Sequence, residues 1–190
     1  MQRCRFYVGG LKCLEEKPEA WKRPLLIGTG CSCIPDALEG YGADAVVTLY
    51  ESWECDFEAP KGVEHYRLPV ADYSVEPLEH VLSAAALVAR LLCEGKTVVV
   101  ACRGGCGRTG TVVSLFNIVF NCMGSREALE EYRGKRGCGP ETVDQETLLH
   151  IAERIAAGYG CRRLCCSGDI DRGLRILAEI ERYAREAGLA

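Results

Sequence analysis

Apolar residues recur along the chain with two different periods, which predict alternating strands and helices. Short apolar runs rich in β-branched residues at 25–29, 43–50 and 97–101 have the length and composition of buried strands. A further strand is predicted at 64–70, after a polar loop. The stretch 34–38, between the first two runs, is compatible with a helix. The first half of the chain therefore predicts strand, helix, strand and strand in that order.

Helical spacing is clearest just before the apolar run at 97–101. Six apolar residues repeat there at intervals of one, three or four positions: Leu78, Val81, Leu82, Ala85, Ala89 and Leu92. Pro77 suits the first turn of this helix and Gly95 suits its end. Further helices are predicted from about Arg108 onward and near 124–134, 142–157 and 168–187. Strands that alternate with helices predict an α/β fold with a central, mostly parallel sheet flanked by helices.

The last predicted helix carries its own apolar stripe, formed by Ile170, Leu174, Leu177, Ile180 and Ala184. This stripe should pack on the rest of the protein or on a partner. The segment 158–168 before it is rich in Gly and Cys and is the candidate boundary. A chain of 190 residues is long enough for one well-buried core. We therefore expect a main domain over 1–160 and a helical extension over 161–190 that packs on it.

The overall charge excludes broad classes of partner. A net charge of -4 and a pI near 5.5 give no general attraction to nucleic acid or to anionic membranes, so a phosphate site must be built locally. The longest apolar stretches, 82–89 and 111–120, are shorter than the roughly 18 residues that span a bilayer. The first residues lack the apolar region of a signal peptide. We expect a cytoplasmic protein without nucleic-acid or membrane partners.

Thirteen cysteines are many for such a protein. The chain has only two Asn, two Gln and two Met, and 17 Arg against 6 Lys. Depletion of heat-labile residues is typical of proteins from thermophiles, whose intracellular proteins do carry disulfides. The clusters Cys31/Cys33 and Cys161/Cys165/Cys166 lack a second matched pair at zinc-finger spacing and a nearby His. Structural or disulfide roles are therefore favoured over a metal site.

One segment combines a cysteine, an arginine and several glycines. Cys102 is followed after five residues by Arg108, with glycines at 104, 105, 107 and 110. This spacing alone decides nothing, because Cys166 and Arg172 have it too. The Cys102 segment lies between a predicted buried strand and the start of a helix. The Cys166 segment has no strand before it and contains two Asp residues that would repel a phosphate.

The chemistry of a phosphate site follows from that placement. Glycines let consecutive backbone N–H groups turn into one concavity, and the positive end of the following helix points there. The same field favours the thiolate form of Cys102, which would make it a nucleophile. Arg108 can donate to two phosphate oxygens, and Thr109 is placed to bond the sulfur as it leaves. The alternative is a glycine-rich turn and a buried Cys that serve packing alone.

The segment CRGGCGRTG, in this strand-to-helix setting, resembles the protein tyrosine phosphatase superfamily, in particular its compact dual-specificity type with its archaeal members. The resemblance covers roughly 25–157 and makes 1–160 a phosphatase domain. It implies that Cys102 forms a phosphocysteine, that Arg108 binds the phosphate, and that a backbone cradle surrounds it. The cradle residues would be Arg103, Gly104, Gly105, Cys106 and Gly107. The resemblance implies no metal and no organic cofactor.

Two further residues match the family in position. Asp72 follows a predicted strand and matches the loop that carries the general acid, which protonates the leaving group. Its alternative is a turn-forming Asp, and Glu76 is the second candidate donor. Gln145 lies where the family places a glutamine that positions water for hydrolysis of the phosphocysteine. With Thr142 it also forms a T-x-x-Q capping box, which explains it equally well.

Two features depart from the family pattern. Most members have His before the nucleophilic Cys, whereas this chain has Ala101. Cys106 lies inside the loop, where it could form a reversible disulfide with Cys102. Its alternative, a small apolar loop residue, is favoured.

The expected substrate is a phosphorylated protein. The loop lacks the Lys residues that phosphoinositide phosphatases of this superfamily carry there, and Arg103 adds one positive charge at its mouth. Phosphotyrosine is the first choice, and a shallow pocket, with Tyr73 as one wall, would also admit phosphoserine and phosphothreonine. The alternatives are a phosphatase of phosphoinositides or of RNA 5′ phosphates, and a phosphate-binding module without turnover.

Overall fold

The computed structural model describes residues 4–15, 24–160, 162–164 and 170–189. Within them, the strands are β1 (Tyr7–Gly9), β2 (Leu26–Gly30), β3 (Ala45–Thr48), β4 (Glu64–Arg67) and β5 (Val98–Cys102). The helices are α1 (Lys12–Glu15), α2 (Ile34–Tyr41), α3 (Leu78–Cys93), α4 (Gly107–Asn121), α5 (Ser125–Arg136), α6 (Val143–Gly158) and α7 (Ile170–Glu186). A 3₁₀ turn, Cys31–Cys33, leads into α2.

The strands form one sheet in the order β1-β2-β5-β3-β4. Only β1 runs antiparallel to its neighbour in this sheet, whose other described pairs are parallel. In register, Cys102 pairs with Gly30 on one side, and Ala101 pairs with Thr48 on the other. The predicted α/β fold with a mostly parallel sheet is confirmed. Since parallel strands share a direction, the carboxyl ends of β2, β3 and β5 meet at one edge, and the segment after Cys102 begins there.

Most predicted elements are present, with three differences. β4 ends at Arg67, before the predicted end at 70. Pro77 precedes α3 as its N-cap and is not part of the first turn. β1 and α1 were not predicted, because β1 has three residues followed by Gly10, too few for a period to show. Pairing with β2 specifies β1, and this pairing is a tertiary feature.

Two apolar layers enclose the sheet. Side chains of β5 alternate between them: Val98, Val100 and Cys102 belong to the larger core with α3 and α4, whereas Val99 and Ala101 belong to the smaller core with α2. All five residues of β5 are buried. The continuous β-branched run predicted this burial on both faces.

Helix α4 lies in the middle of the larger layer, and each of its residues is buried. It packs against α3, α5, α6 and α7 as well as the sheet, which explains why it has no polar face. Its first turn therefore carries Arg108 into the interior. None of the helices in the described ranges is both long and apolar enough to cross a bilayer.

The two asparagines of the chain attach the N-terminal segment to α4. The Asn121 side chain donates to Gly10 O at 2.8 Å and accepts from Lys12 N at 2.9 Å. The Asn117 side chain donates to the Tyr7 hydroxyl at 3.0 Å. Both asparagines are buried, so these bonds are shielded from water.

Helix α7 packs its apolar face on the same core. Ile176, Leu177, Ile180 and Ala184 are buried there with residues of the sheet. Of the predicted stripe, Leu177, Ile180 and Ala184 are confirmed as core residues and Ile170 is partly buried against the core, whereas Leu174 lies outside it and Ile176 takes its place. At Gly173 a Cβ atom would collide with the Phe120 ring of α4. Cys161 and residues 165–168 of the predicted boundary lie outside the described residues. The division into 1–160 and 161–190 stays a prediction.

Disulfides join Cys4 to Cys33, Cys31 to Cys55, and Cys106 to Cys138, while Cys102 is a free thiol. The disulfide role favoured for Cys31 and Cys33 is confirmed. The other cluster, Cys161/Cys165/Cys166, lies outside the described residues, as does the Cys166 end of the second Cys-to-Arg spacing.

Candidate active site

The loop between β5 and α4 is a tight turn at the carboxyl edge of the sheet. It runs from Cys102, the last residue of β5, to Gly107, the first residue of α4. Gly105 has φ of 73° and lies against the backbone of Thr29 and Gly30, so any Cβ there would collide with main chain. This glycine is required both by conformation and by space.

Three consecutive carbonyl groups of the loop, those of residues 103–105, accept hydrogen bonds from groups outside it. Three donors hold them: Cys31 N to Arg103 O at 3.2 Å, Arg136 Nη2 to Gly104 O at 2.8 Å, and the Tyr132 hydroxyl to Gly105 O at 2.7 Å. In a trans peptide the next N–H points away from the carbonyl. The N–H groups of residues 104, 105 and 106 therefore point to the inside of the loop. This is the backbone geometry expected of a phosphate cradle, and its binding of phosphate stays a prediction.

Cys102 lies at the bottom of this cradle with 3% of its surface exposed. Its sulfur accepts a hydrogen bond from the Gly105 N–H at 3.2 Å. The Thr109 hydroxyl oxygen accepts from the Cys102 backbone N–H at 2.8 Å. The predicted partner of this hydroxyl was the sulfur, and among the described hydrogen bonds it contacts the backbone of the same residue. Its role toward the leaving sulfur stays a prediction.

Arg108 enters the site from the first turn of α4 and is held by a buried carboxylate. Its Nη1 and Nη2 donate to the two carboxylate oxygens of Glu54, each at 2.7 Å. Nη1 also donates to Val70 O at 2.9 Å and Leu49 O at 3.3 Å. Both side chains of the ion pair are 1% exposed. The guanidinium plane is therefore fixed by a bidentate pair that sequence reasoning missed.

The ion pair shifts the pKa of each partner in the direction that favours its charged form. The hydrogen bonds from Arg108 hold the pKa of Glu54 below its usual value, although burial opposes this. Burial also disfavours the charged form of Arg108, but the hydrogen bond and charge of Glu54 outweigh it and raise the pKa of the guanidinium. Both groups are charged at neutral pH.

Asp72 reaches the same guanidinium from another loop. Its Oδ1 lies 3.0 Å from Arg108 Nη2, and its side chain is 44% exposed. Glu76, the second candidate donor, makes no described contact with Arg108; its backbone instead closes the loop on Ala71 and Ser74. The structure brings Asp72, and not Glu76, to the cradle.

One donor of Arg108 has no partner. Its Nε is buried without a hydrogen-bond acceptor among the described residues. Because a buried unpaired donor costs free energy, it calls for an acceptor, such as a water molecule or a bound anion. A phosphate in the cradle would accept from it and from the Nη2 hydrogen that now faces Asp72.

Gln145 caps α6 and contacts the loop 71–76, which carries Asp72 and is here named the acid loop. Thr142 Oγ1 accepts from Gln145 N at 3.2 Å and Gln145 Oε1 accepts from Thr142 N at 3.4 Å, which confirms the capping box. The side-chain Nε2 donates to Ser74 O at 3.3 Å. A Cβ on Gly107 would lie 3.1 Å from the Gln145 amide and 2.6 Å from Glu141 Oε2. Gln145 thus borders the cradle, and its role in positioning water stays a prediction.

Cys106 differs from both interpretations of the sequence. It pairs with Cys138, in the turn between α5 and α6, with the two Cα atoms 5.3 Å apart. It is therefore neither an unpaired apolar residue nor the partner of Cys102. The sequence did not show this, because Cys138 approaches the loop only once α5 has packed against α4.

Two other predicted positions are also placed. Ala101 belongs to the smaller core, on the face of the sheet opposite Cys102, so its side chain lies away from the cradle. Arg103 is exposed at the loop, and its charge contributes to the lowered pKa of Glu54, after the larger effect of Arg108.

Comparison with known proteins assigns the family. A family model described as a DSP-PTPase phosphatase of polymorphic toxin systems matches residues 35–121. Archaeal Tk-PTP, in the crystal structure of its active form, is 30% identical in sequence to this chain and superposes on it with a TM-score of 0.59. The match covers 70% of this chain and 92% of that chain. The chain belongs to the compact dual-specificity type of the protein tyrosine phosphatase superfamily. This fold supports a phosphatase activity, and hence phosphorylated substrates.

More distant structures share the phosphatase fold. PTPMT1 in complex with PI(5)P is 18% identical with a TM-score of 0.62, and the match covers 72% of this chain and 94% of that chain. The human tyrosine phosphatase-like serine/threonine/tyrosine-interacting protein is 19% identical in sequence with a TM-score of 0.61. The match covers 70% of this chain and 93% of that chain. No curated protein matches this phosphatase in sequence.

Sequence reasoning found the groups at the centre of the phosphatase site and missed those around it. Cys102, Arg108, Thr109, Asp72 and Gln145 all lie at or beside the cradle. The missed residues are Glu54, Tyr132, Arg136 and Cys138. Among them only Cys138 carried a signal, as one of the thirteen cysteines; the others occupy unremarkable positions in a polar loop and in α5.

Proposed function

We propose that this phosphatase hydrolyses phosphate monoesters on proteins, phosphotyrosine first and phosphoserine or phosphothreonine as well, through a phosphocysteine at Cys102. The observation that carries the proposal is the arrangement of one buried nucleophile and one buried cation around an inward-facing set of N–H groups. The Arg108 Nε has no acceptor among the described residues, and Arg108 is close enough to Cys102 for their charges to interact. In the proposal a tetrahedral dianion beside the Cys102 sulfur accepts from this Nε.

In the first step, the phosphate oxygens accept from the N–H groups of the cradle and from Arg108. The Cys102 thiolate attacks phosphorus, forming the S–P bond while the bond from phosphorus to the ester oxygen breaks. Asp72, once displaced from Arg108 and protonated, gives its proton to that oxygen, since an alkoxide or phenolate departs poorly. Its 44% exposure leaves room for this movement.

In the second step, water attacks the phosphorus of the phosphocysteine. The Asp72 carboxylate takes the proton of the water, the S–P bond breaks, and the thiolate and inorganic phosphate are released. Gln145, which borders the cradle, orients this water in the proposal. Thr109 fixes the Cys102 backbone and lies within reach of the departing sulfur.

Two exposed aromatic side chains support phosphotyrosine as the substrate. Trp53 and Tyr73 are 76% and 62% exposed, and each is next in sequence to a carboxylate, Glu54 or Asp72, that contacts Arg108. In the proposal, these two side chains contact the aromatic ring of the substrate at the mouth of the cradle. Phosphoserine and phosphothreonine, whose side chains are shorter, are proposed to enter as well.

A second candidate is a phosphoinositide phosphatase. Arg136, which bonds the Gly104 carbonyl, has a buried Nε without a described acceptor, and Arg103 is exposed nearby in the loop. Two guanidinium groups at the rim favour a substrate with a second anionic group. The PTPMT1 structure with PI(5)P shares this fold.

The test is hydrolysis of phosphotyrosine peptides by the wild type, Cys102→Ser and Asp72→Ala. Cys102→Ser should be inactive, and Asp72→Ala should lose about 10²- to 10⁴-fold in kcat/KM. Glu76→Ala is the matched control, in the same loop but away from Arg108, and should stay near wild type. Turnover by Cys102→Ser would overturn the mechanism. Parallel assays with PI(5)P and with RNA 5′ phosphates decide between the substrate classes.

A further inference from the structure

Consecutive residues of the phosphate cradle are held by one segment, residues 132–138, here named the clasp. Tyr132 bonds the Gly105 carbonyl, and Arg136 bonds the Gly104 carbonyl. Cys138 is joined covalently to Cys106, the residue before α4. The clasp consists of the end of α5 and the turn after it, so three adjacent cradle residues depend on one packed element.

The two hydrogen bonds of the clasp fix peptide planes. A carbonyl held outward keeps the following N–H pointing inward, so the clasp sets the N–H groups of Gly105 and Cys106. Tyr132 is fully buried, and burial raises its pKa well above the usual value of 10.0, so its hydroxyl remains a donor at any working pH.

The cradle needs such a constraint. Adjacent glycines at 104 and 105 have many accessible conformations, and inward N–H dipoles repel one another until an anion binds. Two hydrogen bonds to flexible backbone can break and reform. A covalent link at Cys106 cannot, and with the Cα atoms held 5.3 Å apart it limits how far the loop can turn over.

We infer that Cys138 is a positioning residue for phosphate binding: through its disulfide with Cys106 it keeps the cradle N–H groups turned toward the anion. The inference rests on the proposed function only in taking phosphate as the ligand. The disulfide also engages the sulfur in the loop that is closest in sequence to Cys102. The site therefore works with Cys102 reduced and Cys106 oxidised.

Reductant changes the Cys106–Cys138 disulfide and leaves the Cys102 thiol as it is. A dithiol such as dithiothreitol gives two electrons and two protons to the Cys106–Cys138 bond, leaving two thiols, and is itself oxidised to a cyclic disulfide. Cys102 is already a thiol and is unchanged by this step. Reduction should therefore weaken phosphate binding while the nucleophile stays intact.

The experiment compares two double variants that leave no new thiol. Cys106→Ala/Cys138→Ala removes the clasp disulfide, and Cys4→Ala/Cys33→Ala removes a disulfide that bonds neither the cradle nor Arg108. The dissociation constant of inorganic phosphate is measured by calorimetry below the unfolding temperature of each protein. We expect about tenfold weaker binding in the first variant and a change under about twofold in the second.

Catalysis provides a second measurement. In the first variant KM for p-nitrophenyl phosphate should rise with the phosphate dissociation constant, and the iodoacetate alkylation rate of Cys102 should fall at neutral pH. If the first variant does not fold, the wild type is titrated with dithiothreitol and each new thiol is located by mass spectrometry of peptides, so that the loss of phosphate binding is assigned to reduction of Cys106–Cys138 or of Cys4–Cys33. Both variants losing thermal stability while phosphate binding stays constant would overturn the inference, because the disulfide would then be structural only.

Phosphate binding is measured without turnover, so the two proposals can fail separately. A wild type that binds phosphate tenfold better than the clasp variant but hydrolyses no phosphopeptide supports the clasp and refutes the proposed function. A wild type that hydrolyses phosphopeptides but binds phosphate no better than the variant supports the proposed function and refutes the inference about Cys138. A wild type that binds no phosphate also refutes that inference.

Discussion

The two loops that meet at Arg108 are built differently. In the cradle, 103–107, three carbonyls are bonded to outside donors and Cys106 is disulfide-linked. In the acid loop, 71–76, Asp72 and Tyr73 are exposed, and the described contacts to the rest of the site are the ion pair with Arg108 and the bond from Gln145 to Ser74. The cradle is held from outside through its backbone, whereas the acid loop is held by the buried Val75 and by bonds within the loop, and its Asp72 and Tyr73 stay exposed.

The chemistry explains this difference. Donors that stabilise a developing charge work best when they need no reorganisation, so a cradle should be rigid before the substrate arrives. In the proposed function the proton donor Asp72 must leave Arg108 to admit the phosphate and then approach the ester oxygen, so its loop should move. The proposal thus places phosphate binding in the more constrained loop and proton delivery in the less constrained one. Substitutions in the cradle should therefore cost more than those in the acid loop.

The largest effect is expected for Gly105→Ala. The new methyl group would collide with the Thr29 and Gly30 backbone, and alanine disfavours φ of 73°, so the loop must shift and its N–H leaves the Cys102 sulfur. Loss of such a donor costs about 10²- to 10³-fold. Steady-state kcat/KM with p-nitrophenyl phosphate measures it.

Gly62→Ala is the matched control for that substitution. Gly62 also has positive φ, of 93°, but a Cβ there meets nothing within 4 Å. It should lose about 1 kcal/mol of stability and keep its activity. Equal activity of the two variants would show that the cradle is more adaptable than its contacts indicate.

Glu54→Gln is expected to have the next largest effect, because the buried guanidinium of Arg108 loses its charged partner. We expect kcat/KM to fall about 10- to 100-fold and the free energy of unfolding to fall by about 3 kcal/mol. Since the folded-state pKa of Glu54 is lowered, its contribution to stability is full above the unfolded-state pKa and is lost as pH falls through the folded-state value. Wild type should therefore lose more stability than the variant between neutral and acid pH. Denaturant unfolding across pH measures this, and parallel curves would contradict it.

The smallest effect is expected for Tyr73→Ala in the acid loop. Tyr73 is 62% exposed, and in the proposed function its side chain contacts only an aromatic substrate. KM for a phosphotyrosine peptide should rise about threefold, with kcat and stability nearly unchanged. A phosphoserine peptide serves as the internal control, since its KM should not change. A large fall in kcat would mean that the acid loop is as constrained as the cradle.

The centre of the site was predictable because its residues are contiguous. A β-branched run, a glycine-rich turn and an apolar helix fix the positions of Cys102 and Arg108 with local information alone. Asp72 needed one further element, the predicted strand before it. The α/β fold followed from the same alternation of strands and helices.

The supports of the site were not predictable, because they depend on where distant elements pack. Glu54 lies 54 residues before Arg108, in a loop without period, and meets it only when β3 pairs with β5. Tyr132 looks like one more helical aromatic until α5 packs beside α4. For Cys138, cysteine counting suggests a disulfide but leaves many pairings open.

The position of β5 in the sheet determines how the site responds when the protein is heated. It is the central strand, paired on both edges, and the helix that follows it is buried along its whole length. Amides in such elements exchange with deuterium only when the entire fold opens. The catalytic machinery should therefore be among the last parts of the molecule to exchange, and thermal inactivation should coincide with global melting instead of preceding it.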